Sequence, residues 1–430
     1  MKTPLGLVQA CTLIQNQQLQ AEELLAQTVA QADLTEPQVK AFLERASLTK
    51  LSAQIKPGPL SGIPIAVKDI IATRDFPTTN GSPIYKGCIP EADASIIAKA
   101  RELGGIIFGK TVTTEFAWRN PGPTTNPWNA EHTPGGSSSG SAATVASKVV
   151  PLALGSQTIG SIIRPAAFCG IVGFKASFGA VPRAGVFPVS KSLDHIGFFT
   201  RSVEDIAHVF NLLKNETSIE PDSIVIPQVS IDIAHFSPRI AVLKTPYDHL
   251  LSQEQIHALS IARDALSKAG ASIQEITLPQ KFWDAMDATF LIMAYEAAIV
   301  HENHLKQHPE LLGVDIKELI QKGKNHSDEE YAAAIALQIE LRQLIGKYFA
   351  DCDAFLSVPA TGEAPKGLSS TGDPMFCWLW SLLGTPAITL PVTKSSNGLP
   401  LGIQLVSNYR EDETLLKVAA FTEKAIAAYE

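Results

Sequence analysis

The sequence is poor in the features that would place it in a membrane, outside the cell or on nucleic acid. No stretch reaches about 18 consecutive apolar residues, so no membrane-spanning helix is expected. The opening MKTPLGLVQACTLIQNQ carries one lysine and a short apolar patch broken at Gln9. It lacks the continuous apolar region of a secretory signal and reads instead as a helix opened by Thr3-Pro4. Cysteine is scarce: Cys11, Cys88, Cys169, Cys352 and Cys377 are odd in number, scattered and never spaced as CxxC. That excludes a disulfide framework and a cysteine zinc site, and it suits a reducing, cytoplasmic compartment. No block of like charges occurs, and the formal net charge is −8. A nucleic-acid partner would need a basic face, so none is expected. No histidine follows His326, although a nucleophile-elbow hydrolase usually takes its histidine from late in the chain.

What is present is the material of a large α/β fold. Of 430 residues, 45% are hydrophobic and 18% charged, enough for a substantial core. Helical patterns cover residues 4–54. "IPIAVKDII" (63–71) is a buried strand, and a helix over 93–105 stops at Gly104-Gly105 before the strand "IIF". Ser139 to Ser147 reads as helix, "VVPLALGS" and "GIVGFK" as strands, and Ser202 to Asp205 as a capping box before "VEDIAHVFNLLKN". "RIAVLK" and "ASIQEITL" are strands either side of a helix over 253–269, and helices fill 280–350. "AFLSVPA", "PAITLPV" and "LGIQLVS" are strands, and a helix over 411–428 closes the chain. Strands alternating with helices predict an α/β sheet with helices on both faces. The segment 216–238 is short and apolar enough to be an ordinary connection, so one domain over 1–430 is expected.

Three motif matches fail on context. Gly104 to Thr111 fits the phosphate-loop pattern GxxxxGK[ST], but a helix precedes it and its interior is strand-like, so Lys110 is expected to be a surface lysine. Gly136 to Gly140 fits GxSxG, but a polar loop precedes it rather than a strand. His301, His304 and His308 have a spacing that suits a metal, yet Glu302, Asn303, Lys306 and Gln307 surround them, and a solvated face is expected. No metal is expected.

Lys68 stands alone as a cation in an apolar strand, with Asp69 expected on the opposite face. If buried, its amine loses charge readily and becomes a base. Further on, "TPGGSSSGSAATVASKVVPLALGSQTIGSIIRPAAFCG" sets serines and glycines among apolar residues. There Gly160 permits a tight turn, the amides of Thr158, Ile159, Gly160 and Ser161 can converge on an oxyanion, and Ser161 is placed to attack the carbon bearing it.

These segments resemble the amidase signature family, whose hydrolases use a Ser–cis-Ser–Lys triad. The resemblance rests on "GIPIAVKD", "TPGGSSSGSAA" and "GSQTIGSIIRPAAFCGIVGFK". "GKTVTTEFAW", "TNPWN", "FGAVPRAGV", "SLDHIGFFTRSVED", "GTPAITLPV" and "NGLPLGIQLV" follow in family order. It covers about residues 55–215 and 350–428, and 216–349 match only in type. It implies a large mixed central sheet. It implies Ser161 as nucleophile, Ser137, after a cis peptide, as the bridging serine, and Lys68 as base. Ser138 would support them from behind, with an N-cap role beside it.

Two positions depart from the family. Ser156-Gln157 stands where many members have Thr-Asp, which puts the acid's role in doubt. Arg164 follows the nucleophile by three residues instead of two. The expected activity is cofactor-free hydrolysis of a carboxamide or urea-like C–N bond to acid plus ammonia or amine. The rival expectations are an ammonia-supplying subunit of a tRNA-dependent amidotransferase and a non-catalytic assembly subunit. The expected partners are a small amide substrate and, as protein, a second copy or a small accessory subunit. Residues 216–349 with Trp283, Phe290 and Met293, together with Phe376, Trp378 and Trp380, are the candidates for shaping the pocket.

Overall fold

A computed structural model describes residues 4–217, 220 and 222–429. Eleven strands form one sheet: β1 (Phe42–Arg45), β2 (Pro64–Lys68), β3 (Ile106–Thr111), β4 (Leu152–Gln157), β5 (Val172–Lys175), β6 (His195–Thr200), β7 (Arg239–Lys244), β8 (Ser272–Thr277), β9 (Ala354–Ser357), β10 (Ala387–Lys394) and β11 (Pro400–Val406). Their order is β1-β3-β2-β4-β6-β5-β10-β11-β9-β7-β8. The β3-β2-β4 and β9-β7-β8 blocks are parallel, and the strands between them pair antiparallel. Helices flank this mixed sheet on both faces, as expected. Every residue of β2, β3 and β4 is buried, which is why 64–67, 106–108 and 152–154 read as apolar runs.

Two strands escape the sequence pattern. β1 (FLER) is a half-exposed edge strand, and β6 (HIGFFT) opens on a histidine and carries a glycine. The region 280–350 resolves into successive helices from Gln280–Asp284 to Asp328–Ile345. The expected helix opening at Thr3-Pro4 lies partly outside the described residues, and the first helix is Leu7–Gln15. At Ser202 only half of the capping box forms. Its Oγ accepts from the Asp205 amide at 3.2 Å, while Asp205 Oδ1 accepts from the Val8 amide at 2.9 Å instead of reaching back.

Two further expectations are corrected. Lys110 is buried inside β3 and is no surface lysine. Its amine donates to Ile71 O at 2.6 Å and Thr78 Oγ1 at 2.7 Å, and it lies 3.5 Å from Asp69 Oδ1. Burial pushes Lys110 down to about 8 and Asp69 up from the usual carboxylate range, so desolvation outweighs their attraction. The GxxxxGK[ST] match is therefore a helix end followed by a buried strand. Nor do His301 and His304 form a solvated face. His301 is buried, and its ring packs 4.6 Å from that of Phe116, with His304 at 5.5 Å. The helix Met286–Val300 ends at His301, which carries the pair onto the loop holding Phe116.

Lys110→Met leaves the Asp69 carboxyl buried without its cation and is expected to cost about 3–5 kcal/mol. Thermal unfolding should show a clearly lowered midpoint, partly recovered in the double variant with Asp69→Asn.

Candidate active site

β2 and β4 are parallel neighbours, with Val67 opposite Leu154. Their carboxyl ends therefore bring Lys68 and Ser156 to one edge, where open α/β sheets gather their ligands. Lys68 is fully buried, and its Nζ donates to Ser137 Oγ at 2.7 Å and to Ser156 Oγ at 2.8 Å. Ser137 lies just before the helix Ser139–Ala146, and the Gly136–Ser137 peptide is cis. Gly135, at φ +81°, brings this segment against the helix Ile163–Cys169. A Cβ there would stand 2.7 Å from Pro165 Cα. Ser138 occupies the N-cap position but makes no capping bond. Its hydroxyl instead donates to Ser156 O at 3.1 Å and accepts from Ser156 N at 3.3 Å, which fixes the residue beside Lys68.

Among the described residues, no anion touches the Lys68 amine. Burial pulls its pKa down to about 7, and the Asp194 carboxylate pulls partly the other way. Asp194, itself raised to about 6 by burial, accepts from Thr158 Oγ1 at 2.7 Å and from the amides of Val189 and Ser190 at 2.8 and 3.0 Å. A substantial fraction of Lys68 is thus an uncharged amine at neutral pH.

Beyond β4 the chain turns through Thr158–Ser161. Among the described residues, the backbone amides of Thr158, Ile159, Gly160 and Ser161 have no main-chain acceptor. They remain available to an oxyanion. A Cβ at Gly160 would meet Arg164 Nη1 at 2.7 Å and Pro374 Cβ at 3.0 Å. Gln157 Oε1 accepts from the amides of Ile162 and Ile163 at 3.0 and 3.1 Å, and its Nε2 donates to Ser381 Oγ at 3.2 Å. A neutral carbonyl therefore holds the turn after Ser161. Arg164 Nη2 donates to Gly136 O and Nε to Thr371 O, both at 2.7 Å. It ties the helix after Ser161 to the segment before Ser137 and to the loop over residues 369–375.

A cavity of about 510 Å³ opens on this edge, lined on one side by Ser137, Thr158, Ile159 and Ser161. Lys68 touches it only through Ser137. The hydrogen-bonded chain from Lys68 stops at Ser137. Ser137 and Ser161 share the cavity without a hydrogen bond between them, and such links commonly tighten only when substrate is bound.

Of the aromatic candidates, Trp378 and Phe290 line the cavity. Trp283 and Phe376 instead pack against Tyr247 behind it, at 5.7 and 6.2 Å between ring centroids, while Met293 and Trp380 are core. Sequence reasoning missed Arg119, Asp315 and Asp373, which bring charge to the wall. They sit on loops or a helix start, where no periodicity marks them. Arg119 belongs to a turn with positive φ at Phe116, Ala117 and Arg119.

A lysine amine kept near neutrality beside serine hydroxyls, with free amides across a cavity, is the equipment of an acyl-transferring hydrolase. Comparison with known proteins narrows the class to hydrolases of non-peptide carbon–nitrogen bonds. The family described as Amidase matches residues 23–416, and the chain belongs to it. A glutamyl-tRNA(Gln) amidotransferase subunit from Picosynechococcus sp. is 32% identical, over 95% of each chain. A crystal structure described as an amidase is 28% identical with a TM-score of 0.85, over 98% of this chain and 99% of that one. A chain of the inhibitor-bound vestigial protein complex bearing on the origins of an s-triazine catabolic enzyme is 25% identical, with a TM-score of 0.89 over 98% of both.

Two outcomes are expected. Gln157→Leu leaves two buried amides without an acceptor, at about 1–3 kcal/mol each; both melting temperature and kcat should fall. If Lys68 is the base, kcat/KM rises with pH through about 7 and levels above it, because only the unprotonated amine accepts a proton. Asp194→Asn removes the charge that holds this pKa up, so the limb should move to lower pH.

Proposed function

We propose that Ser161 is the nucleophile of this amidase, Ser137 the relay and Lys68 the base. Neutral Lys68 takes a proton from Ser137 as Ser137 takes one from Ser161. The Ser161 Oγ then attacks the carbonyl carbon of a carboxamide. The oxyanion is held by the amides of residues 158–161, each such donor typically supplying ~2.7–4 kcal/mol to the transition state. Lys68 returns the proton through Ser137 to the departing nitrogen, and ammonia or an amine leaves. Water, deprotonated along the same route, hydrolyses the acyl-enzyme. One observation carries this reading: the Lys68 amine, buried and without a counter-ion, lies 2.7 Å from Ser137 Oγ, which lines the same cavity as Ser161. The reading needs no cofactor or metal, and treats residues 1–430 as one amidase domain in the cytoplasm.

Arg119, Asp315 and Asp373 in the cavity wall favour a small polar amide over a long apolar one. The relatives named as amidotransferase subunits support a second reading, in which the chain supplies ammonia from glutamine beside partner chains. An accessory subunit or a second copy of the chain fits that reading. Intact Lys68, Ser137 and Ser161 argue against a purely structural subunit.

Treatment with a serine-reactive phosphonate, followed by peptide mass spectrometry, should place the adduct on Ser161, and Ser161→Ala should abolish both labelling and turnover while remaining folded. Ammonia release from simple amides by the purified chain alone supports the stand-alone amidase. Release from glutamine only, and only with partner chains, supports the second reading. Full turnover in Ser161→Ala removes the proposal.

A further inference from the structure

Lys68 has two hydroxyl partners, and the mechanism above uses one. Ser156, the other, lines a second cavity of about 300 Å³ that does not include Ser137 or Ser161. This cavity lies against Ile70, Asp194 and Ile196 and reaches the exposed residues Ala184, Pro188 and Lys191. The charged groups facing it are Arg183, Lys191, Asp194, Glu220 and Asp222. Arg183 Nη1 donates to Lys191 O and Asp194 O at 2.8 and 3.1 Å, and Glu220 Oε2 accepts from the amides of Arg183 and Ala184 at 2.7 and 3.1 Å. A space of this size with charged groups in its wall holds several waters at ~30 Å³ each.

We propose that Ser156 is a proton-relay residue joining Lys68 to solvent through this second cavity, separately from the substrate pocket. The inference rests on the reading of Lys68 as base. A fully buried amine reaches solvent only through its partners, and on the Ser137 side a bound substrate closes the way. An enzyme that bound substrate with Lys68 protonated would then be trapped until the substrate left. Through Ser156 it is not. An N–H bond of the Lys68 ammonium breaks as its proton passes to Ser156 Oγ, and the original Ser156 O–H proton passes to a cavity water. Lysine ammonium plus water become lysine amine plus hydronium, and Ser156 ends unchanged. Ser138 holds the Ser156 backbone on both its N–H and its C=O, which keeps the hydroxyl in place for this transfer.

The test is a pH jump with the substrate pocket occupied. Enzyme saturated with p-nitrophenyl acetate, well below the Lys68 pKa, is mixed to well above it, and p-nitrophenolate release is followed by stopped flow. Wild-type protein should reach its new steady rate within the mixing time. Ser156→Ala should lag by about tenfold or more beyond it, and Ser156→Thr, which restores a hydroxyl, should remove the lag. Ala184→Phe, which plugs the mouth without touching Lys68 or Ser161, should produce the same lag. A purely structural role for Ser156 shifts the steady rate or its pH midpoint and gives no lag. Folded Ser156→Ala and Ala184→Phe proteins that both respond without a lag overturn the inference. Mass spectrometry of the acetylated protein separates the two levels. Acetyl on Ser161 without a lag sinks this inference alone, whereas no acetyl on Ser161 sinks the catalytic reading and this inference with it.

Discussion

The Lys68 amine is withdrawn from water with no carboxylate in hydrogen-bond contact, and much of the surrounding architecture serves that condition. A fully buried parallel block, β3-β2-β4, supplies the low-dielectric surroundings that lower its pKa to about 7. The Asp194 carboxylate is held away from it by Thr158 and two backbone amides. An acid in direct contact would hold the amine charged and cost it the proposed use as a base. Gln157 is consistent with the same requirement. At the end of β4, where a carboxylate would add negative charge near the serines, a neutral amide does the structural work on the turn after Ser161.

Much of this was legible in the sequence, for identifiable reasons. Strands buried on both faces are mostly apolar, so β2, β3 and β4 announce themselves as short runs. A lysine in such a run is conspicuous. The Gly/Ser segment is legible because separate pieces of chain crowd against its backbone there, and only small residues fit. Gly135 against Pro165 and Gly160 against Arg164 and Pro374 are cases in point. The four amides of 158–161 follow from the same turn.

The rest was hidden because it depends on partners distant in sequence. Lys110 looks like a surface lysine until the fold brings Asp69, Ile71 and Thr78 to it across the parallel pairing of β2 and β3. His301 and His304 sit among charged neighbours in sequence, yet their rings meet Phe116, nearly two hundred positions earlier. Arg119, Asp315 and Asp373 come from three separate segments, and nothing local distinguishes a loop charge that faces a cavity from one that faces bulk water.

Burial alone does not select the proposed base, because Lys110 and Lys175 share it with Lys68. Lys175 is as buried as Lys68 and is also brought down to about 7, and Lys110 to about 8. Their partners separate them. Lys175 donates to the carbonyl oxygens of Thr385 and Ala176. Carbonyls accept hydrogen bonds but have no proton to give, so an amine among them has nothing to take a proton from. Lys110 meets a carbonyl, two threonine hydroxyls and a carboxylate, and the carboxylate favours its charged form. Of these three, Lys68 bonds to hydroxyls alone, on both sides. A hydroxyl both gives and takes a proton, so each of those bonds is a path along which a proton can move. The proposed assignment of Lys68 as base thus rests on the chemistry of the partner atoms, with burial as a necessary condition that Lys110 and Lys175 also satisfy.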